Sequence, residues 1–378
     1  MAVAFQFGTE TDMNIETISG SAIQILHPDF RRPLIIAGPC SAETEEQTLE
    51  TARELAANGI KVFRAGIWKP RTRPGCFEGV GAAGLPWLRR VRQETGMLTA
   101  TEVANARHVQ EALAAGVDIL WVGARTTVNP FAVQEIADAL AGVDIPLLVK
   151  NPISPDLDLW VGALERFQKV GLTRLGAIHR GFSIQGISPY RNPPQWQMPI
   201  DLRTRMPGLP IITDPSHIAG DRTLIYGICQ EAMDLQFDGL IIESHVRPDQ
   251  AWSDARQQVT PADLDTILKR LVLRTPDTAD KSFNFTLDEL RAQLDALDKE
   301  VIAKLGQRMR IAEEIGSLKK RSEITILQPS RWDRLVHERQ AQGEAQGLSA
   351  DFMRQLLRAN HEESISHQNQ VMNTPENP

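Results

Sequence analysis

Eight short apolar, β-rich runs alternating with helical segments predict a (β/α)8 TIM barrel for the first two-thirds of this 378-residue chain. A break into polar linker chemistry, followed by an amphipathic pattern without proline, predicts a second, small all-α unit of three helices. The chain is long enough for both.

The eight runs are 34–40, 61–68, 97–103, 119–125, 146–151, 175–181, 210–217 and 239–245. Between them, 45–58, 104–115 and 131–140 carry polar and apolar residues at helical spacing. Gly59, Gly116 and Gly171, with Pro146 and Pro210, punctuate helix ends or strand starts. A doubly wound open sheet is the competing architecture, but it usually needs fewer strands. Residues 1–33 are too few for a domain and are expected to add a strand or cap over one barrel end, giving a barrel domain over 1–273. Thr, Pro, Asp, Lys and Ser dominate 274–285, which reads as a linker.

After it, Leu287, Leu290, Leu294, Leu297, Val301, Leu305, Met309 and Ala312 recur at steps of three and four. They predict a long helix ending near Arg321, roughly 50 Å in length. That exceeds what a compact domain of about 90 residues spans, so a partner chain and a homodimer through this unit are expected. Helices over 329–346 and 349–372 complete a domain over 286–372, and the polar tail 373–378 is expected to fray.

Apolar residues make up 42% and charged residues 24%, as in an ordinary globular protein. No run of about 18 apolar residues offers a membrane span, and the N-terminus does not read as a signal peptide. Three cysteines at wide spacing argue against a disulfide framework and for a cytoplasmic, reducing environment. A net charge of −7 without a basic block makes nucleic acid a poor partner. A locally basic pocket is still compatible with that balance.

Barrels of this kind carry their chemistry at the C-terminal ends of strands. Those ends read Cys40, Arg64, Glu102, Arg125, Lys150, Arg180, His217 and Glu243. Arg64, Lys69, Arg71, Arg125, Lys150 and Arg180 form a cationic lining that calls for an anionic substrate. Cys40, His217, Glu243 and Asp254 form a sulfur–nitrogen–oxygen set that suits a divalent transition metal with an open position. Singly, Cys40 reads as packing, His217 as a helix cap and Asp254 as a solvated loop charge. The metal reading rests on the four together. Mixed ligation of this type accepts manganese, iron, cobalt or zinc.

Six motifs fall in order along the barrel: Gly38-Pro39-Cys40-Ser41, Lys69-Pro70-Arg71-Thr72, Gly123-Ala124-Arg125-Thr126-Thr127, Lys150-Asn151, Asp214-Pro215-Ser216-His217 and Ile242-Glu243-Ser244-His245. Over residues 33–273 they resemble the 3-deoxy-D-arabino-heptulosonate 7-phosphate synthases, most closely the compact branch. The resemblance implies metal ligation by Cys40, His217, Glu243 and Asp254. It implies phosphoenolpyruvate contacts at Arg64, Lys69, Arg125, Lys150 and Arg180, and erythrose 4-phosphate contacts at Arg71 and Thr72. Lys69 would assist proton traffic, and Glu102 is a candidate for directing water. The related eight-carbon sugar-acid synthase, which uses arabinose 5-phosphate, carries Lys-Ala-Asn-Arg-Ser at the second motif, so the four-carbon aldose is favoured. Cys76 reads as incidental and Cys229 as core.

In the helical unit, Arg308 and Lys319 lie 11 residues apart, about three turns, and share a face, whereas Arg291 is rotated away. Alone, this reads first as a solvated basic face on an exposed helix. Leu290-Arg291, Leu297-Asp298, Arg308, Ile311-Ala312, Ile315-Gly316 and Lys319, with Arg331 and then Ser364 and Gln368, resemble the all-helical chorismate mutases over 286–372. The resemblance implies that Arg291 of the partner subunit, Arg308 and Arg331 clamp two carboxylates. Lys319 and Gln368 would face the ether oxygen, and Ser364 would add a polar contact. Loss of the Lys319 charge at high pH should slow the rearrangement. Gln328 and Trp332 stand where the best-known branch carries acids that help hold the substrate hydroxyl. Two working enzymes of aromatic amino-acid biosynthesis is therefore the first expectation. A helical unit that mainly senses chorismate or prephenate is the second, and prephenate inhibition of the barrel joins the two.

Overall fold

The computed structural model describes residues 22–70, 75–184, 186–327 and 329–374, without the side chains of 329–331 and 333. The chain divides into two compact units, Met1–Pro276 and Asp277–Pro378. In the first, strands β1 (Leu34–Gly38), β2 (Val62–Arg64), β3 (Leu98–Val103), β4 (Ile119–Val122), β5 (Leu147–Lys150), β6 (Leu175–His179), β7 (Ile211–Thr213) and β8 (Gly239–Glu243) each fall inside one of the predicted runs. They pair in parallel and in chain order, and β1 closes against β8 to complete a barrel.

Helices α1 (Glu45–Ala57), α2 (Leu85–Thr95), α3 (Ala106–Ala115), α4 (Ala124–Thr127) and α5 (Pro130–Ala139) accompany the first half. α6 (Leu157–Lys169), α7 (Gln197–Arg205), α8 (Pro215–Ala219), α9 (Ile225–Asp234) and α10 (Pro261–Arg270) accompany the second. Their starts are chemically set. Side-chain oxygens of Thr44, Asn105, Asn129, Asp156 and Thr260 accept first-turn N–H groups that would otherwise lack a partner.

Strand alternation divides the core. Ile36, Val62, Ala100, Trp121, Leu148, Ile178, Ile212 and Ile241 fill the barrel interior. Phe63, Leu120, Val149, Ala177 and Leu240 face outward against helical residues such as Leu55, Leu88 and Phe167. Truncating a fully buried aromatic such as Phe167 costs about 3–5 kcal/mol. The described part of the N-terminal extension is a cap: Ile23, Leu26 and Phe30 join the interior cluster. Arg174, just before β6, donates to the Leu26 carbonyl at 2.7 and 3.1 Å. Residues 1–21 lie outside the described residues. The described extension thus packs at the strands' starting ends, opposite the C-terminal ends where the candidate residues lie.

The second unit holds α11 (Lys281–Arg321), α12 (Pro329–Glu344) and α13 (Ala350–Asn373). α11 begins inside the 274–285 segment that composition marks as linker. Asp280 is the reason: its carboxylate accepts the N–H groups of Ser282 and Phe283 at 2.9 and 3.1 Å. No proline or glycine follows before Thr286 to stop the helix. Gly316 lets α13 approach, since a β-carbon there would stand 3.1 Å from the Gln368 α-carbon. α13 runs to Asn373, and residues 375–378 lie outside the described residues. Among the described residues, no helix is long and apolar enough to cross a membrane.

Candidate functional sites

The barrel site begins with a close backbone approach. Gly38 has φ +151°, and a β-carbon there would sit 2.0 Å from the Arg64 carbonyl oxygen, so any side chain would separate β1 from β2. Just beyond this turn, the Lys69 ammonium donates to the Cys40 carbonyl at 2.7 Å and to its Sγ at 2.6 Å. The buried Arg64 places Nη1 3.3 Å from Glu243 Oε1. Its guanidinium carbon and the Lys150 ammonium lie 5.0 and 6.0 Å from the Trp121 ring centroid, so one buried aromatic ring serves two cations. Trp121 in turn donates to Glu102 at 2.9 Å, and Lys150 donates to Asp214 at 2.8 Å.

A cavity of about 120 Å³ opens among these groups, lined by Glu102, Arg125, Lys150, Arg180 and His217 together with Pro70 and others. Burial lowers the Arg180 guanidinium to about 10, still cationic at neutral pH. The structure thus brings Arg125, Lys150 and Arg180 to one cavity, with Arg64 and Lys69 in the adjoining layer. Arg71 and Thr72 lie outside the described residues.

The four expected metal ligands converge in pairs. Cys40 Sγ is 3.3 Å from Asp254 Oδ2, and His217 Nε2 is 3.7 Å from Glu243 Oε1. No closed group of three or more His, Cys, Asp or Glu side chains forms among the described residues. The donors nevertheless fit a divalent transition metal. They combine thiol, imidazole and carboxylates, and Glu243 Oε1 is buried without a hydrogen bond. Burial, followed by Glu243, pushes the Cys40 thiol up to about 12 despite the neighbouring Lys69, and a bound metal cation would favour the thiolate. Burial works against the Asp254 carboxylate, but His217, Arg191 and Lys69 outweigh it and hold its pKa well below the usual range.

Around these donors stands a layer that sequence reasoning did not identify. Gln257 donates to Glu243 Oε2 at 2.7 Å and accepts from Arg191 at 2.8 Å, while Arg191 also donates to Asp254 at 3.0 Å. Asn192 donates to the His217 carbonyl at 2.7 Å. The Cys40 N–H donates to Gln258 at 2.9 Å. Arg191 and Asn192 sit in the long connection after β6, and that position at the catalytic end of a strand was their one available signal.

In the helical unit, α11, α12 and α13 enclose a cavity of about 420 Å³. It gathers Arg308, Lys319, Ser364 and Gln368 against Ile311, Ile315 and Leu335. Arg308 donates to Ser364 and to the Asn360 carbonyl, and Lys319 donates to the Ile326 carbonyl. Gln368 is buried, and its Oε1 has no hydrogen-bond partner. Arg291 does not join this cavity; it is exposed and 3.4 Å from Asp288. The Arg331 side chain and all of Gln328 lie outside the described residues. Trp332 lines the wall together with His361, a residue that sequence reasoning passed over.

The fold defines a class, the closed parallel (β/α)8 barrels. Residues 11–277 match the DAHP synthetase I family, and the chain belongs to it. Residues 290–369 match chorismate mutase type II. The barrel is 32% identical over 225 residues to the phospho-2-dehydro-3-deoxyheptonate aldolase of Thermotoga maritima, covering 60% of this chain and 64% of that protein. The crystal structure of that Thermotoga aldolase superposes with a TM-score of 0.57 at 29% identity, over 63% of this chain and 67% of the other. A 2-dehydro-3-deoxyphosphooctonate aldolase of Geobacter metallireducens is 28% identical over 260 residues, 64% of this chain and 92% of that one. A stretch of 89 residues is 32% identical to the T-protein of Haemophilus influenzae, covering 24% of each chain. Synthases of this family generally depend on a divalent metal.

Proposed function

We propose that the barrel condenses phosphoenolpyruvate with erythrose 4-phosphate to 3-deoxy-D-arabino-heptulosonate 7-phosphate and phosphate. The helical unit, on the same reading, rearranges chorismate to prephenate. The observation that carries the barrel reaction is the cationic layer of Arg64, Lys69, Arg125, Lys150 and Arg180 beside a thiol–imidazole–carboxylate donor set at one end of the barrel. Two phosphates and a carboxylate need that many fixed positive charges, and a preorganised cationic site stabilises charge that develops during reaction.

Arg125, Lys150 and Arg180 bind the phosphoenolpyruvate anion, and Arg71 and Thr72 bind the aldose phosphate. The enol carbon C3 forms the new bond to the aldehyde carbon, water adds at C2, and phosphate departs with its bridging oxygen. Lys69 holds or delivers a proton at the Cys40 edge, and Glu102, fixed by the Trp121 N–H, is the candidate for orienting water. Cys40, His217, Glu243 and Asp254 would hold a divalent manganese, iron, cobalt or zinc ion, whose contribution when bound is to polarise the aldehyde oxygen.

The rearrangement needs positioning and electrostatics only. Arg308, with Arg331 and Arg291 of the partner subunit, clamps the carboxylates of chorismate, and Lys319 and Gln368 face the breaking ether bond. The homodimer is supported by the exposed apolar row Leu290, Leu294, Leu297 and Val301 along α11, each more than half exposed. A cytoplasmic setting is supported by Cys40, Cys76 and Cys229, all free thiols among the described residues. Trp332 in the cavity wall favours one second reading, a helical unit that senses chorismate or prephenate without efficient turnover.

Steady-state rates with erythrose 4-phosphate and arabinose 5-phosphate test the barrel, and loss of chorismate absorbance tests the helices. Preference for the four-carbon aldose with measurable chorismate turnover is the expected result. Preference for the five-carbon aldose would move the barrel to the phosphooctonate reaction, and binding of chorismate without turnover would establish the sensor.

A further inference from the structure

Among the described residues, the helical cavity is well supplied with donors and poor in acceptors. Arg308 and Lys319 have no lone pair to offer, and the Trp332 indole has an N–H only. Ser364 Oγ is engaged, accepting from Arg308 and donating to the Asn360 carbonyl at 2.6 Å. Among the described polar side chains lining the cavity, the acceptors left without a hydrogen bond are therefore Gln368 Oε1 and the imidazole of His361. His361 is also held in a defined plane. Its ring stacks on Trp332 with centroids 3.9 Å apart and planes 25° from parallel. Burial, followed by Arg308, lowers its pKa, so the ring is neutral at pH 7 and one nitrogen keeps its lone pair.

Chorismate presents two carboxylates and an ether oxygen, which take donors, and a ring hydroxyl, whose proton takes an acceptor. We propose that His361 binds this ring hydroxyl and that Trp332 positions its imidazole. The proposal rests on the mutase reading of the helical unit and names the residue that completes that site.

The test compares kcat/KM of the full chain for chorismate and for the analogue lacking the ring hydroxyl, in the wild type, His361→Ala and His361→Asn. His361→Ala should lower kcat/KM for chorismate about tenfold, the worth of one hydrogen bond, and leave the analogue within about twofold. His361→Asn, which restores a side-chain acceptor, should recover most of the loss. Equal losses on both substrates, or no loss on chorismate, would overturn the assignment and leave the mutase reading standing. A wild-type chain that neither binds nor converts either compound would remove the mutase reading, and the His361 assignment with it.

Discussion

Lys69 and Lys150 carry the same charge in different settings. Lys150 is buried on Asp214 and beneath Trp121, a fixed point of positive potential. Lys69 rests on a thiol that burial keeps protonated, so its contacts change once that thiol is ionised. Cys40 and Lys319 separate the two chemistries most cleanly. Cys40→Ala should reduce phosphoenolpyruvate consumption at least about 100-fold and leave chorismate turnover unchanged. Lys319→Ala should do the reverse, lowering chorismate turnover about 100- to 1,000-fold as a lost electrostatic donor does. Paired assays on each variant check both, and damage to both activities by either change would mean coupled units.

The residues at strand ends were legible because barrel topology tells where side chains converge. Asp214, Arg191 and Gln257 act across long sequence separations, and spacing holds no trace of such contacts. His361 was within reach: it precedes Ser364 by three residues and Gln368 by seven, which puts all three on one helical face.

Among the elements, α11 shows both the strength and the limit of pattern reading. Its apolar steps give its course, but its start at Lys281 depends on the Asp280 cap, which a composition window blurs into linker. α11 and α13 are also joined by His367, whose Nδ1 lies 2.7 Å from Glu313 of α11 and whose Nε2 lies 3.2 Å from Glu363. The Glu313 hydrogen bond leads in raising the His367 pKa above its usual value. A raised folded-state pKa gives stability that is full below the unfolded value and lost as pH rises through the folded one. Thermal midpoints of the wild type and His367→Gln should therefore differ most at about pH 5.5 and converge by about pH 9. A gap that widens with pH would contradict this account.

The apolar row on α11 supports a test of assembly. Leu294→Lys with Leu297→Lys places two charges where a partner helix would pack. Light scattering should report a dimer for the wild type and a smaller species for the double variant, and an unchanged mass would exclude this face as the interface.

On the scale of the whole chain, the two proposed activities are carried on one polypeptide, which suits control of the first reaction by the product of the second. Prephenate at about millimolar concentration should slow phosphoenolpyruvate consumption, and Lys319→Ala, which weakens the helical site, should blunt the effect. Unchanged synthase rates across that range would end the idea. The barrel class was readable from eight apolar runs because strand count and alternation are local properties. How closely the candidate ligands approach was not legible, because Cys40, His217, Glu243 and Asp254 stand on two loops, the short helix α8 and the end of β8, whose mutual placement is set by the whole barrel.

The most direct measurement follows phosphoenolpyruvate absorbance with erythrose 4-phosphate, using the full chain before and after a chelator, with chorismate loss followed in parallel. The account predicts consumption that stops with the chelator and returns with a divalent metal, while chorismate turnover continues throughout. Consumption indifferent to the chelator, or absent with every metal, would contradict it.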